Sequence, residues 1–263
     1  MRRIVLASLL LAAAASASAC SSGPELDTSG PQTIEVAGVT FSYECRGEGS
    51  PVAFVEDGLH TSTGSSSFDP EWYGWEVALD GMSDLTTVCI YGRRGIGGTD
   101  PLDHGSVRTT NDQVDDFESL LGALGVDAPV VLIGHSIAGF NLRVAADRSS
   151  SDVVGLVFVD ATSPGLLEHV PPPASTSAPE WLDISTSGEQ VAATGDLGDT
   201  PIYVITSGEN ESRDDFWGPL QAELAAASTN SQRITSPDAS HYVFVDDPQA
   251  VIDGLAWVLQ ELG

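Results

Sequence analysis

Lysine is missing altogether: all ten basic residues of the 263 are arginine, set against 38 Asp and Glu, for a formal net charge of −28. Such a surface repels nucleic-acid phosphates and anionic lipid headgroups, so no nucleic-acid partner and no membrane contact through a basic face is expected. The acidic residues are spread along the chain, which fits a solvated surface and not a binding tail. Cysteine is nearly absent, with only Cys20, Cys45 and Cys89, too few for a metal cluster. No G-x-G-x-x-G or phosphate loop occurs, and there is no internal repeat. Neither a metal nor a cofactor is expected.

The N-terminus is the one segment that reads as an address. Met1-Arg2-Arg3 is followed by apolar and small residues over 4–15, then Ser16-Ala17-Ser18-Ala19-Cys20. This pattern is a secretory signal over 1–19, too short for a spanning helix. Small residues ending at a single cysteine resemble the bacterial lipobox, which implies lipidation at Cys20 and a cell-envelope location. Ala17 stands where Leu is usual in that motif, so plain cleavage after Ala19 and secretion stay open. Residues 20–31, rich in Ser, Gly and Pro, read as a flexible tether. Any membrane attachment is then through a lipid on Cys20.

Residues 32–263 are enough for a single α/β domain. Apolar runs predict strands at 32–36, 39–45, 51–56, 86–91, 129–134, 153–160, 201–206 and 231–235. Helical spacing predicts helices at about 72–81, 111–124, 137–148, 214–227 and 248–262. Alternation after residue 50 implies a mostly parallel sheet with helices on both faces. Residues 161–200 interrupt it with Pro171-Pro172-Pro173 and many Ser, Thr and Gly. They read as a small irregular cap or a plain disordered excursion.

The most informative stretch is Val130-Val131-Leu132-Ile133-Gly134-His135-Ser136-Ile137-Ala138-Gly139, followed by a helix-like run from Phe140 to Ala146. Strand, tight turn with serine at its apex, then helix: this lifts a hydroxyl to a helix N-terminus, where free N–H groups and the dipole favour negative charge. The stretch resembles the nucleophile elbow of the α/β-hydrolase superfamily, with Ala138 where the second glycine of G-x-S-x-G usually stands. The bland alternative is a βα turn with an N-capping serine. Tyr91 to Thr99 resembles the superfamily's glycine-rich turn after its fourth strand, with Gly92 replacing the usual structural aspartate.

The resemblance implies an eight-stranded, mostly parallel sheet with helices on both faces and a cap, and a triad in the order Ser, acid, His. His241 lies between the last strand candidate and the last helix, where the general base belongs. His135 reads as a turn or packing residue, His60 as a pocket-wall or surface residue, and His104 and His169 as exposed loop residues. Two acids compete. Asp160 ends the apolar run 153–160, where a buried carboxylate needs a partner such as an imidazole N–H. Glu211 follows the strand 201–206 beside Glu209, Asp214 and Asp215, where a carboxylate can stay solvated. Asp160 is the preferred reading and Glu211 the alternative. The oxyanion donors implied are the backbone N–H groups of Leu59, after the Asp57-Gly58 turn, and Ile137.

The superfamily's strand order, 1-2-4-3-5-6-7-8, makes the strands of Cys45 and Cys89 neighbours, and export permits a disulfide between them. Phe68, Trp72, Tyr73 and Trp75 read as packing aromatics, with one or two of them as walls of an apolar pocket as the alternative. The implied function is serine hydrolysis of a small-molecule carboxylic ester, less readily an amide, through an acyl-enzyme. An idle binding or scaffold lipoprotein is the alternative. The relatives that attack haloalkanes or epoxides need aspartate where Ser136 stands. Substrate identity and oligomeric state are not set by the sequence.

Overall fold

A computed structural model describes residues 26–59, 74–103, 106–127, 129–148, 152–170 and 180–263. Its strands are β1 (Gln32–Val36), β2 (Val39–Arg46), β3 (Val52–Glu56), β4 (Val88–Tyr91), β5 (Val130–His135), β6 (Val153–Val159), β7 (Ile202–Ser207) and β8 (Ser231–Ser236). They form one sheet in the order β1-β2-β4-β3-β5-β6-β7-β8. Pairing is antiparallel for β1 with β2 and β2 with β4, and parallel from β4 through β8. The central strands β3, β5 and β6 are apolar on both faces because helices cover both.

Alternation within the strands sorts side chains into two cores. Phe54, Leu132, Phe158 and Val204 face the core that includes Phe117, Phe140, Leu142 and Leu224. These come from α2 (Thr110–Ala123), α3 (Ala138–Arg148) and α7 (Trp217–Ala226). Val55, Ile133, Val157 and Ile205 face the other, with Leu79, Met82, Val251, Leu255 and Val258 from α1 (Glu76–Ser83) and α9 (Pro248–Glu261). Local sequence sets the helix starts. A capping box closes α2, in which Asp112 accepts from the Thr109 N–H at 2.8 Å. Asp247 caps α9, with Pro248 at its first turn. Among the described residues no helix is long and apolar enough to cross a membrane.

Three expectations need correction. The helix expected at about 72–81 is α1, Glu76–Ser83. It follows Gly74 at φ +100°, a backbone turn that fixes a later start; positions 72 and 73, with Phe68, lie outside the described residues. The 161–200 insertion is not simply an irregular lid. It carries α4 (Leu166–His169) and α5 (Ile184–Ala192), and Leu182 and Val191 are buried in the first core. Asp183 caps α5 by accepting from the Thr186 N–H at 3.0 Å, and Leu182 pairs with Arg108 in an isolated parallel bridge. The return half of the insertion is thus part of the domain body, while 171–179 lies outside the described residues. Finally, α6 (Gly208–Arg213) occupies the stretch between the expected strand 201–206 and the expected helix 214–227, capped by the Ser207 hydroxyl accepting from the Asn210 N–H at 3.2 Å.

Cys45 and Cys89 are directly opposite each other on β2 and β4, 4.0 Å apart at Cα, and are joined in a disulfide. Both are fully buried. The bond ties positions 44 residues apart, which in the chain-entropy picture stabilises by about 4 kcal/mol. Urea unfolding of the Cys45→Ser/Cys89→Ser variant should show a loss of that order, and non-reducing peptide mapping should recover the two peptides joined. Two free thiols in the native protein would contradict the pairing.

Candidate active site

Strand β5 delivers Ser136 into a strained turn. Its φ is +55°, a left-handed conformation uncommon for a residue with a side chain and typical of functional turns. The turn needs room on both sides. A Cβ on Gly134 would come within 2.7 Å of Leu142, and one on Gly139 within 2.8 Å of the Thr162 carbonyl oxygen. Ala138, by contrast, is accommodated with no exposed surface. The demanding glycine has moved one position along the helix. The Ser136 carbonyl accepts from the Gly139 and Thr162 N–H groups at 3.0 and 2.8 Å, which ties the turn to the chain just after β6.

His241, from the loop between β8 and α8 (Val243–Asp246), places Nε2 3.0 Å from Ser136 Oγ and Nδ1 2.7 Å from Asp160 Oδ2. Asp160 directly follows β6 at φ +44° and is fully buried. Its Oδ1 accepts from the Ser207 N–H at 2.9 Å and Trp217 Nε1 at 2.8 Å. Its Oδ2 accepts from Ser207 Oγ at 2.9 Å and Asn210 Nδ2 at 2.5 Å, in addition to His241. Burial pushes this carboxyl upward, but the bonds from His241, the Ser207 N–H and Trp217 outweigh it and hold the group below its ordinary 3.8. Asn210 Nδ2 also lies 3.2 Å from His241 Nδ1. Both atoms carry hydrogens when Asp160 accepts from the ring, so the productive bond of Asn210 is the one to Asp160.

Glu211 is elsewhere. It sits on α6, not in a solvated loop, and its carboxylate accepts from Arg233 Nη2 and, at 2.7 Å, from Thr235 Oγ1 on β8. The expectation that it stays solvated and needs no partner is corrected: parallel pairing of β7 with β8 brings Arg233 and Thr235 alongside it.

The Asp57-Gly58-Leu59 turn runs past the serine. A Cβ on Gly58 would lie 3.1 Å from Ser136 Cβ and 2.8 Å from His135 Nδ1, so only glycine fits. Leu59 is half-buried there and Ile137 is buried directly after Ser136. Asp57 Oδ1 accepts from the Gly58 N–H at 2.7 Å and Trp75 Nε1 at 3.1 Å. His135 is buried under His241, with Nδ1 3.3 Å from Asp57 Oδ1 and Nε2 3.0 Å from the His241 carbonyl oxygen. Its pKa is lowered, burial prevailing over the nearby Asp57. Trp75 is fully buried and stacks on Phe244 with ring centroids 4.1 Å apart, as a packing aromatic. His169 is exposed and stacks on Phe216. His60, His104 and Cys20 lie outside the described residues.

Sequence reasoning did not find Ser207, Asn210 and Trp217 around Asp160, and no local motif marks them. It also missed Arg93, which is buried between Glu56 and Glu180. One signal was present: Glu56 ends the otherwise apolar strand β3, and a carboxylate there requires a buried partner. In the turn after β4, where Gly92 replaces the usual aspartate, Thr99 Oγ1 donates to the Gly92 carbonyl at 2.7 Å and accepts from the Ser42 N–H at 3.0 Å.

No family model matches the chain. It is 24% identical over 234 residues to the uncharacterized protein YqjL of Bacillus subtilis (strain 168), covering 84% of this chain and 88% of that protein. It is 33% identical over 121 residues to the "Probable transporter efuK" of Hormonema carpetanum. That match takes in 45% of this chain but spans only 16% of the length of that protein. Among solved structures, an alpha/beta hydrolase fold protein from Chitinophaga pinensis superposes with a TM-score of 0.62 at 16% identity, covering 88% of this chain and 97% of that one. A thermophilic esterase from Thermogutta terrifontis gives 0.62 at 19% identity over 88% and 99%. The chain has the α/β-hydrolase fold.

Proposed function

We propose that this protein is a serine hydrolase that cleaves a small-molecule carboxylic ester, and less readily an amide. The observation that carries the reading is the unbroken hydrogen-bond chain from Ser136 Oγ through His241 to Asp160. Ser136 Oγ attacks the substrate carbonyl carbon while His241 Nε2 takes its proton. Asp160 holds the ring with Nδ1–H towards itself and stabilises the imidazolium. The Leu59 and Ile137 N–H groups receive the developing oxyanion, and the positive end of α3 adds to the field. Collapse of the tetrahedral species breaks the bond to the leaving oxygen, which takes the proton from His241. Water, giving a proton to His241, then attacks the acyl-enzyme; the acyl–Ser136 Oγ bond breaks, Oγ takes the proton back from His241, and the acid is released. The Thermogutta terrifontis esterase, similar in fold, supports the ester reading. The idle-scaffold alternative predicts a broken relay, whereas here its three members are in contact.

A fluorophosphonate probe should label the wild type stoichiometrically and fail to label Ser136→Ala; persistent adducts in that variant would defeat the reading. On an aryl ester, Asp160→Asn should lower activity by about 10³–10⁴, because the amide presents the wrong partner to the ring. Glu211→Gln, removing a carboxylate that faces Arg233 and Thr235, should cost less than about tenfold. The reverse ranking would assign the acid to Glu211.

The proposed location is the cell envelope, with residues 1–19 removed, a lipid on Cys20 and 20–31 as tether to the domain over 32–263. Cys20→Ser should release the protein from the membrane fraction. Unchanged association would rule out the lipid anchor, and a wild type already soluble would favour plain secretion.

A further inference from the structure

Arg93, in the turn after β4, is buried and spends its guanidinium on two surroundings at once. Nε and Nη2 bind the Glu180 carboxylate at 2.6 and 2.9 Å, at the return end of the β6–β7 insertion. Nη1 reaches Glu56 Oε1 at 3.1 Å and the Asp57 carbonyl oxygen at 2.5 Å, and Nη2 reaches the Gly58 carbonyl oxygen at 2.7 Å. The Gly58 carbonyl and the Leu59 N–H belong to one peptide unit. The only cis bond among the described residues is Ser50–Pro51, so this unit is trans and planar, and its C=O and N–H point in opposite directions. A donor that fixes the carbonyl therefore fixes the direction of the N–H. A charged donor also polarises the amide and makes that N–H a better donor in turn.

We propose that Arg93 is a positioning residue that aims and polarises the Leu59 N–H towards the oxyanion through its bond to the Gly58 carbonyl. The preceding peptide is clamped at both ends, its Asp57 carbonyl by Arg93 and its Gly58 N–H by Asp57 Oδ1. The loop therefore has little freedom to turn the Leu59 N–H away. Arg93 remains charged: burial works against the cation, but Glu180 and Glu56 prevail and raise its pKa. The guanidinium touches no reacting atom and acts only through the Gly58–Leu59 peptide. This assignment rests on the hydrolase reading with Leu59 as an oxyanion donor.

The test uses the whole chain in a Glu180→Gln background, which lessens the buried charge left over when Arg93 is removed. Active sites are counted by fluorophosphonate titration, so loss of folded protein does not enter the rates. Adding Arg93→Gln should lower kcat for p-nitrophenyl acetate about 10–100-fold relative to the background, somewhat less than complete loss of an oxyanion donor. KM should stay within about threefold. The affinity for an aryl trifluoromethyl ketone, whose serine adduct carries an oxyanion, should fall by the same factor as kcat. A purely structural role would shift thermal stability and the titrated fraction but leave kcat per site and ketone affinity unchanged, and that result overturns the proposal. If the Gln variant does not fold, Arg93→Lys in the same background carries the test: one nitrogen cannot hold both carbonyls, so about a tenfold loss is expected and retention within twofold overturns the proposal. Failure of the hydrolase reading is separately visible, as labelling that survives Ser136→Ala.

Discussion

The site is organised around one buried carboxylate. Asp160 is fully enclosed at the end of β6 and accepts hydrogen bonds from Ser207, Asn210, Trp217 and His241. An unpaired ion there would carry a desolvation penalty of several kcal/mol; with its lone pairs filled, it is both ionised and immobile. The donors come from the end of β7, from α6 and from the start of α7, so the neighbouring strand and two helices must be in place before the carboxylate is satisfied. Its remaining bond fixes the plane of the His241 ring, and the ring in turn meets Ser136.

The serine side of the site is tied to the same region. The Thr162 N–H, two residues after Asp160, donates to the Ser136 carbonyl, and the Ser136 N–H reaches the Val159 carbonyl. On the far side, Asn141 of α3 donates to Glu56 at the root of the Asp57-Gly58-Leu59 turn and to Gln113 of α2 at 2.8 Å. Tyr91 donates to the same Glu56 at 2.6 Å. Elbow, acid and turn are therefore held by polar bonds buried between the ends of β3, β4, β5 and β6. Such bonds fix relative position more sharply than apolar packing, because they demand both distance and direction.

The sheet was legible because fully buried strands are continuous apolar runs, and the strand order followed from the elbow's resemblance. The elbow itself was legible from Gly134 and Ser136, although its second crowded glycine proved to be Gly139. Asp160 could be preferred over Glu211 because a charge ending a buried strand must have a partner. Its partners besides His241 were not legible, since Ser207, Asn210 and Trp217 lie 47, 50 and 57 residues away. Glu211 was misjudged for the same reason: Arg233 and Thr235 approach it across the sheet edge. The insertion misled because Ser, Thr and Gly dilute the apolar spacing of α5, although Leu182 and Val191 are buried in the first core and Ile184 and Leu197 pack against it. Arg93 and Glu180 are 87 residues apart, beyond any local pattern.

The central claim is that Asp160 holds the Nδ1 proton of His241 in the resting protein. Proton NMR of the full chain with ¹⁵N-labelled histidine tests it most directly. A low-field, nitrogen-coupled resonance is expected beyond the amide region, disappearing in His241→Ala and Asp160→Asn and persisting in Glu211→Gln. A resonance assigned to His241 that survives Asp160→Asn unchanged, or vanishes in Glu211→Gln, would contradict it.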